Sequence, residues 1–148
     1  MFEHLYAYPA RLELQRDGSV LVRFPDLPEA LTDGADEADA LAQATDCLSE
    51  ALAGRINRDE EIPVPSSLER GVHLIVPDPT MALKAAVYGA LRARDWTVAE
   101  LGRRLDIDYR QAARLIDPRC ASKLTSLEAA LRVLGYEIAI AVSETSAA

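Results

Sequence analysis

The stretch TVAELGRRLDIDYRQAARL, residues 97–115, predicts two short helices joined by a tight turn. The first helical pattern covers residues 97–105, and the second covers residues 109–116. Thr97 and Asp108 each precede one of these patterns, where the side-chain oxygen of an N-cap residue accepts a hydrogen bond from a free backbone N–H. This arrangement is typical of a helix-turn-helix.

The small and apolar positions of the same stretch predict how the two helices pack. Gly102 lies where crossed helices would approach most closely, and a larger side chain there would push them apart. Asp106 stands in the turn where many helix-turn-helix sequences have Gly, and Asp is one of the residues that tolerate a left-handed conformation. The side chains that the helices would bury together are Leu101, Leu105, Ile107, Ala112 and Leu115.

The outward side of the second helix is the predicted DNA-reading surface. In this motif, the exposed positions of the second helix enter the major groove. Arg forms paired hydrogen bonds to guanine, and Tyr contacts phosphate or a thymine methyl group. The alternative is a solvated helix of an all-helical bundle that binds no DNA. The predicted DNA-contacting residues are Thr97, Tyr109, Arg110, Gln111, Ala113, Arg114, Arg119 and Lys123.

The charges of the chain divide into two unlike halves near Thr80. The whole chain has a formal net charge of −8, yet residues 1–80 hold 6 Lys+Arg and 16 Asp+Glu, a net of −10. Residues 81–148 hold 10 Lys+Arg and 8 Asp+Glu, a net of +2. Because only the second half has a balance that suits phosphate, we predict two domains with different partners, divided at this point.

Length and composition indicate a globular chain of 148 residues, of which 49% are hydrophobic. No apolar run approaches the ~20 residues that a membrane span needs, and the N-terminus lacks the pattern of a secretion signal. Cys47 and Cys120 are far apart, and His4 and His73 are isolated, so we predict no disulfide, no metal site and no cofactor. We expect a cytoplasmic protein that associates with the nucleoid when it is bound to DNA.

The N-terminal half predicts a small sheet with one helix across a face. Asp17 and Gly18 supply a tight turn between the first two strands, because Gly tolerates positive φ. Asp36 is predicted to cap a long helix that ends near Gly54, with acidic residues in its first turn. The predicted strands are residues 5–14, 19–24, 31–34 and 72–76, and the order β-β-β-α-β indicates an α+β fold.

The C-terminal half predicts further helices at residues 81–93 and 126–134, and then a strand without a partner. The sequence YEIAIAV, residues 136–142, alternates like a strand, but no other strand is predicted in this half. An unpaired strand exposes backbone hydrogen-bonding groups, so its two-fold pairing with a second copy predicts a dimer. The predicted dimerisation residues are Tyr136, Ile138, Ile140 and Val142.

These motifs together resemble the HicB antitoxins of bacterial HicA–HicB toxin–antitoxin modules. The first half resembles the family in FPDLP, residues 24–28, followed by a helix with an acidic cap. The second half resembles it in LIDP and ASKL, residues 115–118 and 121–124, before LEAAL at 127–131. The resemblance implies a partial RNase H-like N-terminal domain that inhibits a HicA-type toxin, which cleaves mRNA. It also implies a C-terminal helix-turn-helix domain that represses the module's own operator, as a homodimer that can assemble further with the toxin.

The acidic half is the predicted toxin-binding domain, because a toxin that grips RNA should be basic. Carboxylates 36, 37 and 39 are adjacent on one helical turn, whereas the metal ligands of an active RNase H come from separate elements. They suit dipole capping or partner binding better, so we predict no enzymatic activity. The predicted toxin-contacting residues are Phe24, Asp26, Leu27, Asp36, Glu37 and Asp39.

A second class of function is compatible with the same sequence. A one-component transcription regulator would join the DNA-binding half to a sheet domain that binds a small ligand. The two functions differ in genomic context, because a short reading frame for a basic protein beside this gene would indicate an antitoxin.

Overall fold

Four antiparallel strands form one sheet in the computed structural model, which describes residues 5–144. The spatial order is β3-β2-β1-β4, so the first hairpin lies in the middle of the sheet. In the register, Leu12 of β1 is opposite Val22 of β2, and Tyr8 of β1 is opposite Ile75 of β4. The strands are β1 (Tyr8–Leu14), β2 (Val20–Arg23), β3 (Leu31–Gly34) and β4 (His73–Ile75).

The helix α1 (Glu37–Asn57) lies across one face of this sheet, which confirms the predicted β-β-β-α-β order. Gly34 permits the close approach of sheet and helix, since a Cβ atom there would lie 2.2 Å from the backbone nitrogen of Ala40. Helical spacing places one side of α1 in the core. Its buried residues are Ala40, Ala44, Leu48, Ala51, Leu52 and Ile56.

The helix α2 (Pro79–Arg94) belongs to both halves of the molecule. It begins two residues before the predicted start, because Asp78 caps it and proline is well tolerated in the first turn of a helix. One side of α2, including Met81 and Ala85, joins the core under the sheet. Another side, including Val87 and Leu91, joins a second apolar core among the C-terminal helices. A rigid helix therefore connects the halves at the predicted boundary.

Three shorter helices follow: α3 (Val98–Leu105), α4 (Tyr109–Arg114) and α5 (Leu124–Val133). They pack against α2 around a second core. The helix α4 ends at Arg114, two residues before the predicted end. The large side chains of this core from these helices and their ends are Leu101, Leu115, Leu127, Leu131 and Leu134.

The segment after Gly135 forms neither helix nor strand in the single described chain. Tyr136 and Ile138 are half-buried against the C-terminal helices, whereas Ile140 is 79% exposed and Val142 is 92% exposed. The predicted strand is thus absent from the single chain, where every described strand precedes residue 76 and offers it no partner. None of the described helices combines the length and apolarity that crossing a membrane requires.

Candidate functional site

The α3–α4 pair is held at its ends by side-chain caps. The Thr97 side chain accepts a hydrogen bond from the Glu100 N–H at 3.1 Å, and Asp108 accepts one from the Gln111 N–H at 2.7 Å. Between the helices, Asp106 adopts a left-handed conformation with φ 55° and ψ 46°. The two caps and the turn therefore form as the sequence predicts.

Gly102 lies at the contact between α3 and α4. A Cβ atom at this position would be 3.1 Å from the backbone oxygen of Ile107 and 3.4 Å from Cβ of Ala112. Leu101, Ala112 and Leu115 are buried around this contact, as predicted. Leu105 and Ile107 were predicted to be buried with them and are half-buried at its edge. The lack of a side chain at Gly102 thus sets the distance between the two helices.

The opposite side of α4 is open to solvent. Tyr109 is 65% exposed, and Arg110, Gln111 and Arg114 are exposed as well. Ala113 is half-buried, so its methyl group contributes less surface than the sequence predicts. The structure therefore brings the predicted tyrosine and arginines together on one exposed side of a helix.

The cations near this surface differ in whether a carboxylate neutralises them. Arg103 and Arg104 both form ion pairs with Glu100. Arg119 forms two hydrogen bonds to Asp117, at 3.0 and 3.1 Å, and its guanidinium lowers the pKa of that carboxyl to about 2. Among residues 5–144, by contrast, no ion pair involves the exposed cations Arg110, Arg114 and Lys123.

Two other predicted contact residues occupy helix ends. Thr97 is exposed, but its hydroxyl oxygen is engaged in capping α3. Lys123 stands at the N-cap of α5 and makes no capping hydrogen bond with its side chain. Trp96, predicted to be core, is half-buried at the entry to α3, and the guanidinium of Arg104 lies 4.9 Å from its ring centroid.

Lys84 is a residue of this region that the sequence predictions missed. Its side chain is buried beneath α4, and its ammonium group donates to the backbone oxygen of Arg114 at 2.6 Å. The available signal was its spacing, because position 84 falls on the buried side of α2 between Met81 and Val87. A lysine at a position where the helical period demands an apolar side chain indicates a specific partner.

Two of the residues predicted to contact a toxin lie in the core instead. Phe24 is 2% exposed and Leu27 is fully buried, since the loop turns inward through a hydrogen bond from the Leu27 N–H to the Phe24 oxygen. Their burial corrects that prediction. The carboxylate of Asp26 is held by the backbone N–H and hydroxyl of Ser66, so it fastens the loop to the neighbouring segment.

The three acids at the start of α1 serve the helix end. Asp36 accepts a hydrogen bond from the Asp39 N–H at 2.8 Å, and Asp39 accepts one from the Ala35 N–H at 2.8 Å. Glu37 lies 3.5 Å from Nε2 of His73. Within residues 5–144, no group of three or more His, Cys, Asp or Glu side chains could hold a metal ion.

One side of α1 presents unpaired acids to solvent. Asp39, Asp46 and Glu50 are exposed and form no ion pair within the described chain. At about 100° per residue they lie within about 40° of each other around the helix axis. The nearby acids Glu29 and Glu60, in contrast, pair with Arg55 and Arg58. We call the three unpaired acids the α1 acidic stripe.

Comparison with known proteins gives a consistent result for both halves. Residues 7–86 match the model of a family described as a HicB-like antitoxin of a bacterial toxin–antitoxin system. Antitoxin HicB of Escherichia coli K12 is 32% identical over 133 residues, which cover 90% of this chain and 96% of that protein. Antitoxin HicB of Pseudomonas fluorescens is 30% identical over 129 residues, which cover 86% of this chain and 88% of that protein.

Proposed function

The chain belongs to the HicB family of bacterial antitoxins, and we propose that it neutralises a HicA-type toxin and represses its own operon as a DNA-binding dimer. The observation that carries the DNA-binding part is the pair of unneutralised arginines, Arg110 and Arg114, on the exposed side of α4. They are four residues apart, so both reach the same groove of a DNA duplex.

The α3–α4 pair would act as a helix-turn-helix whose second helix enters the major groove. Tyr109 and Gln111 flank Arg110 on the exposed surface, which gives the helix further hydrogen-bonding groups for bases or phosphates. Lys123, at the uncapped start of α5, would add a phosphate contact from outside the groove. Arg119 contributes less than the sequence predicts, because Asp117 already neutralises it.

The experiment that tests this part is a titration of DNA from upstream of the gene with Arg110→Ala and Arg114→Ala at several salt concentrations. An arginine that pairs with guanine should lose about 1–3 kcal/mol per half-site and relax preference at one base pair. An arginine that touches only phosphate should weaken binding to all sequences and flatten the salt slope by about one unit. Arg132→Ala is the control, since Arg132 lies on α5 and pairs with Glu128. Wild-type operator affinity in both α4 variants would refute the recognition-helix assignment.

The dimer would form through the segment that contains Ile140 and Val142. These are the most exposed large apolar side chains of the described residues, and strand pairing with a second copy would bury them and satisfy their backbone groups. Tyr136 and Ile138 already pack on their own helices and would orient the segment. Each protomer would then present α4 to successive major grooves of a palindrome, about one helical turn apart.

Charged substitutions test the dimer without removing the residues that pack in the core. Ile140→Glu and Val142→Glu should give monomers by light scattering, because a paired strand would bury two like charges on the same face. Val64→Glu, at a side chain that is 74% exposed in a loop, is the matched control and should leave the mass unchanged. Persistent dimers in the two C-terminal variants would move the interface to another element.

The N-terminal half would be the partial RNase H-like domain that the family resemblance implies, and it would bind the toxin. A toxin that cleaves mRNA must hold phosphate, so its RNA-binding surface should be basic. The α1 acidic stripe supports a direct electrostatic contact, because Asp39, Asp46 and Glu50 are exposed and unneutralised. Such charges increase the association rate and make it sensitive to salt.

A further inference from the structure

Lys84 makes an unusual connection between α2 and the C-terminal end of α4. Among residues 5–144 it is the one charged side chain that is buried, with 1% of its surface exposed. Its ammonium nitrogen donates to the backbone oxygen of Arg114 at 2.6 Å and to Oγ of Ser122 at 2.8 Å. The Ser122 hydroxyl also lies 3.2 Å from the same Arg114 oxygen and donates to it. One buried cation therefore holds the last residue of α4.

This contact supplies what the short helix lacks. The helix α4 has six residues and a single buried side chain, Ala112, and isolated helices of this length are not stable in water. Asp108 fixes its N-terminal end, while the ammonium of Lys84 fixes the carbonyl end, where a cation also complements the helix dipole. Both ends of α4 are thus set by side chains outside the helix.

Stability alone gives little reason for a lysine at this position. Burial lowers the pKa of Lys84, with Cys120 and Asp117 acting in the opposite direction, and a buried cation costs more free energy than an apolar side chain of the same length. The Arg114 oxygen would keep the Ser122 hydroxyl as a donor if the ammonium were absent. A directed hydrogen bond does, however, fix orientation, which an apolar contact does not.

We infer that Lys84 is a positioning residue for DNA recognition, which fixes the C-terminal end of α4 so that Arg110 and Arg114 meet the operator bases in one orientation. The inference rests on the proposed DNA-binding function. Lys84 holds the backbone of Arg114, whose side chain is exposed on the DNA-reading surface. Its neighbours Met81 and Ala85 are anchored in the core under the sheet. The acidic half therefore sets the position of the reading helix.

The test compares Lys84→Met with the wild-type chain on operator DNA and on a scrambled duplex of equal length. We expect about a tenfold loss of operator affinity, equivalent to one base contact per half-site, with unchanged affinity for the scrambled duplex. Arg132→Met is the matched control, because it removes one positive charge from an exposed site away from α4. It should preserve the ratio of the two affinities.

A double-mutant cycle separates positioning from general stability. In an Arg110→Ala, Arg114→Ala background, Lys84→Met should have little further effect on operator affinity, since the side chains that it orients are gone. Loss of folded protein would instead lower binding to both duplexes by the same factor. Ser122→Ala is the milder variant if Lys84→Met does not fold, and it should reduce the operator-to-scrambled ratio to a smaller extent.

The outcomes distinguish this inference from the function on which it rests. A reduced ratio that depends on the two arginines supports the positioning role. An unchanged ratio in both Lys84→Met and Ser122→Ala, with a discriminating wild type, overturns the positioning role alone. A wild-type chain that binds both duplexes equally overturns the proposed operator recognition as well.

Discussion

The helices α1 and α4 are stabilised in different ways. The helix α1 has 21 residues, and six of them are buried on one side against the sheet. The helix α4 has six residues, one of which is buried, and its position depends on three residues outside it: Gly102, Asp108 and Lys84. Apolar burial is spread over many contacts, whereas each of the three determinants of α4 acts alone.

This difference predicts how the two proposed functions respond to substitution. Toxin binding through the surface of α1 should be insensitive to changes beneath it that leave the helix folded. Operator binding through α4 should be lost by substitutions at residues that touch no DNA. Comparing equivalent substitutions in the two regions therefore tests the account.

The largest expected effect comes from Gly102→Leu. The new side chain would begin 3.1 Å from a backbone oxygen, which cannot move without opening the α3–α4 pair, and overpacking of this kind costs about 1–3 kcal/mol. We expect operator binding to be abolished in a mobility-shift assay and the free energy of unfolding to fall in urea titration.

Gly54→Ala, in the middle of α1, is the matched change. A Cβ atom there would meet only the flexible guanidinium end of Arg58, and Ala stabilises a helix interior by roughly 1 kcal/mol relative to Gly. Its stability should be unchanged or higher, with both binding activities intact. Normal operator binding by Gly102→Leu would contradict the proposed dependence of α4 on its contact with α3.

A smaller effect is expected at the two helix caps. Asp36→Ala and Asp108→Ala each remove one side-chain acceptor from a helix start, which costs about 1 kcal/mol. In α1 the loss should appear only as a lower melting temperature, because the buried side keeps the helix in place. In α4 the same loss should also weaken operator binding. Equal operator affinities for the two variants would remove the distinction between the helices.

Local sequence rules predicted the parts of the structure that depend on neighbouring residues. The caps at Asp36, Thr97 and Asp108 follow from residue type and position, as does the left-handed turn at Asp106. Gly102 could be identified because two helical patterns meet there. These features are decided within a few residues of chain, so a single sequence contains the information.

The predictions that failed concern side chains whose surroundings come from distant parts of the chain. Phe24 and Leu27 lie between prolines, a pattern that indicates an exposed loop, but tertiary packing turns both into the core. Lys84 finds its partners 30 and 38 residues away, on α4 and the segment after it. The proposed pairing of residues 136–142 requires a second chain, and so it stays a prediction.

The most direct test of the division between the two surfaces assays two double variants against both partners. Arg110→Ala with Arg114→Ala removes the proposed reading surface, and Asp46→Lys with Glu50→Lys reverses charge on the α1 acidic stripe. Each full-length variant is titrated against operator DNA and against the small protein encoded beside the gene. We expect the first to lose operator discrimination with normal toxin binding, and the second to associate more slowly with the toxin at low salt while still recognising the operator. Loss of both activities in either variant, or of neither, would contradict the account.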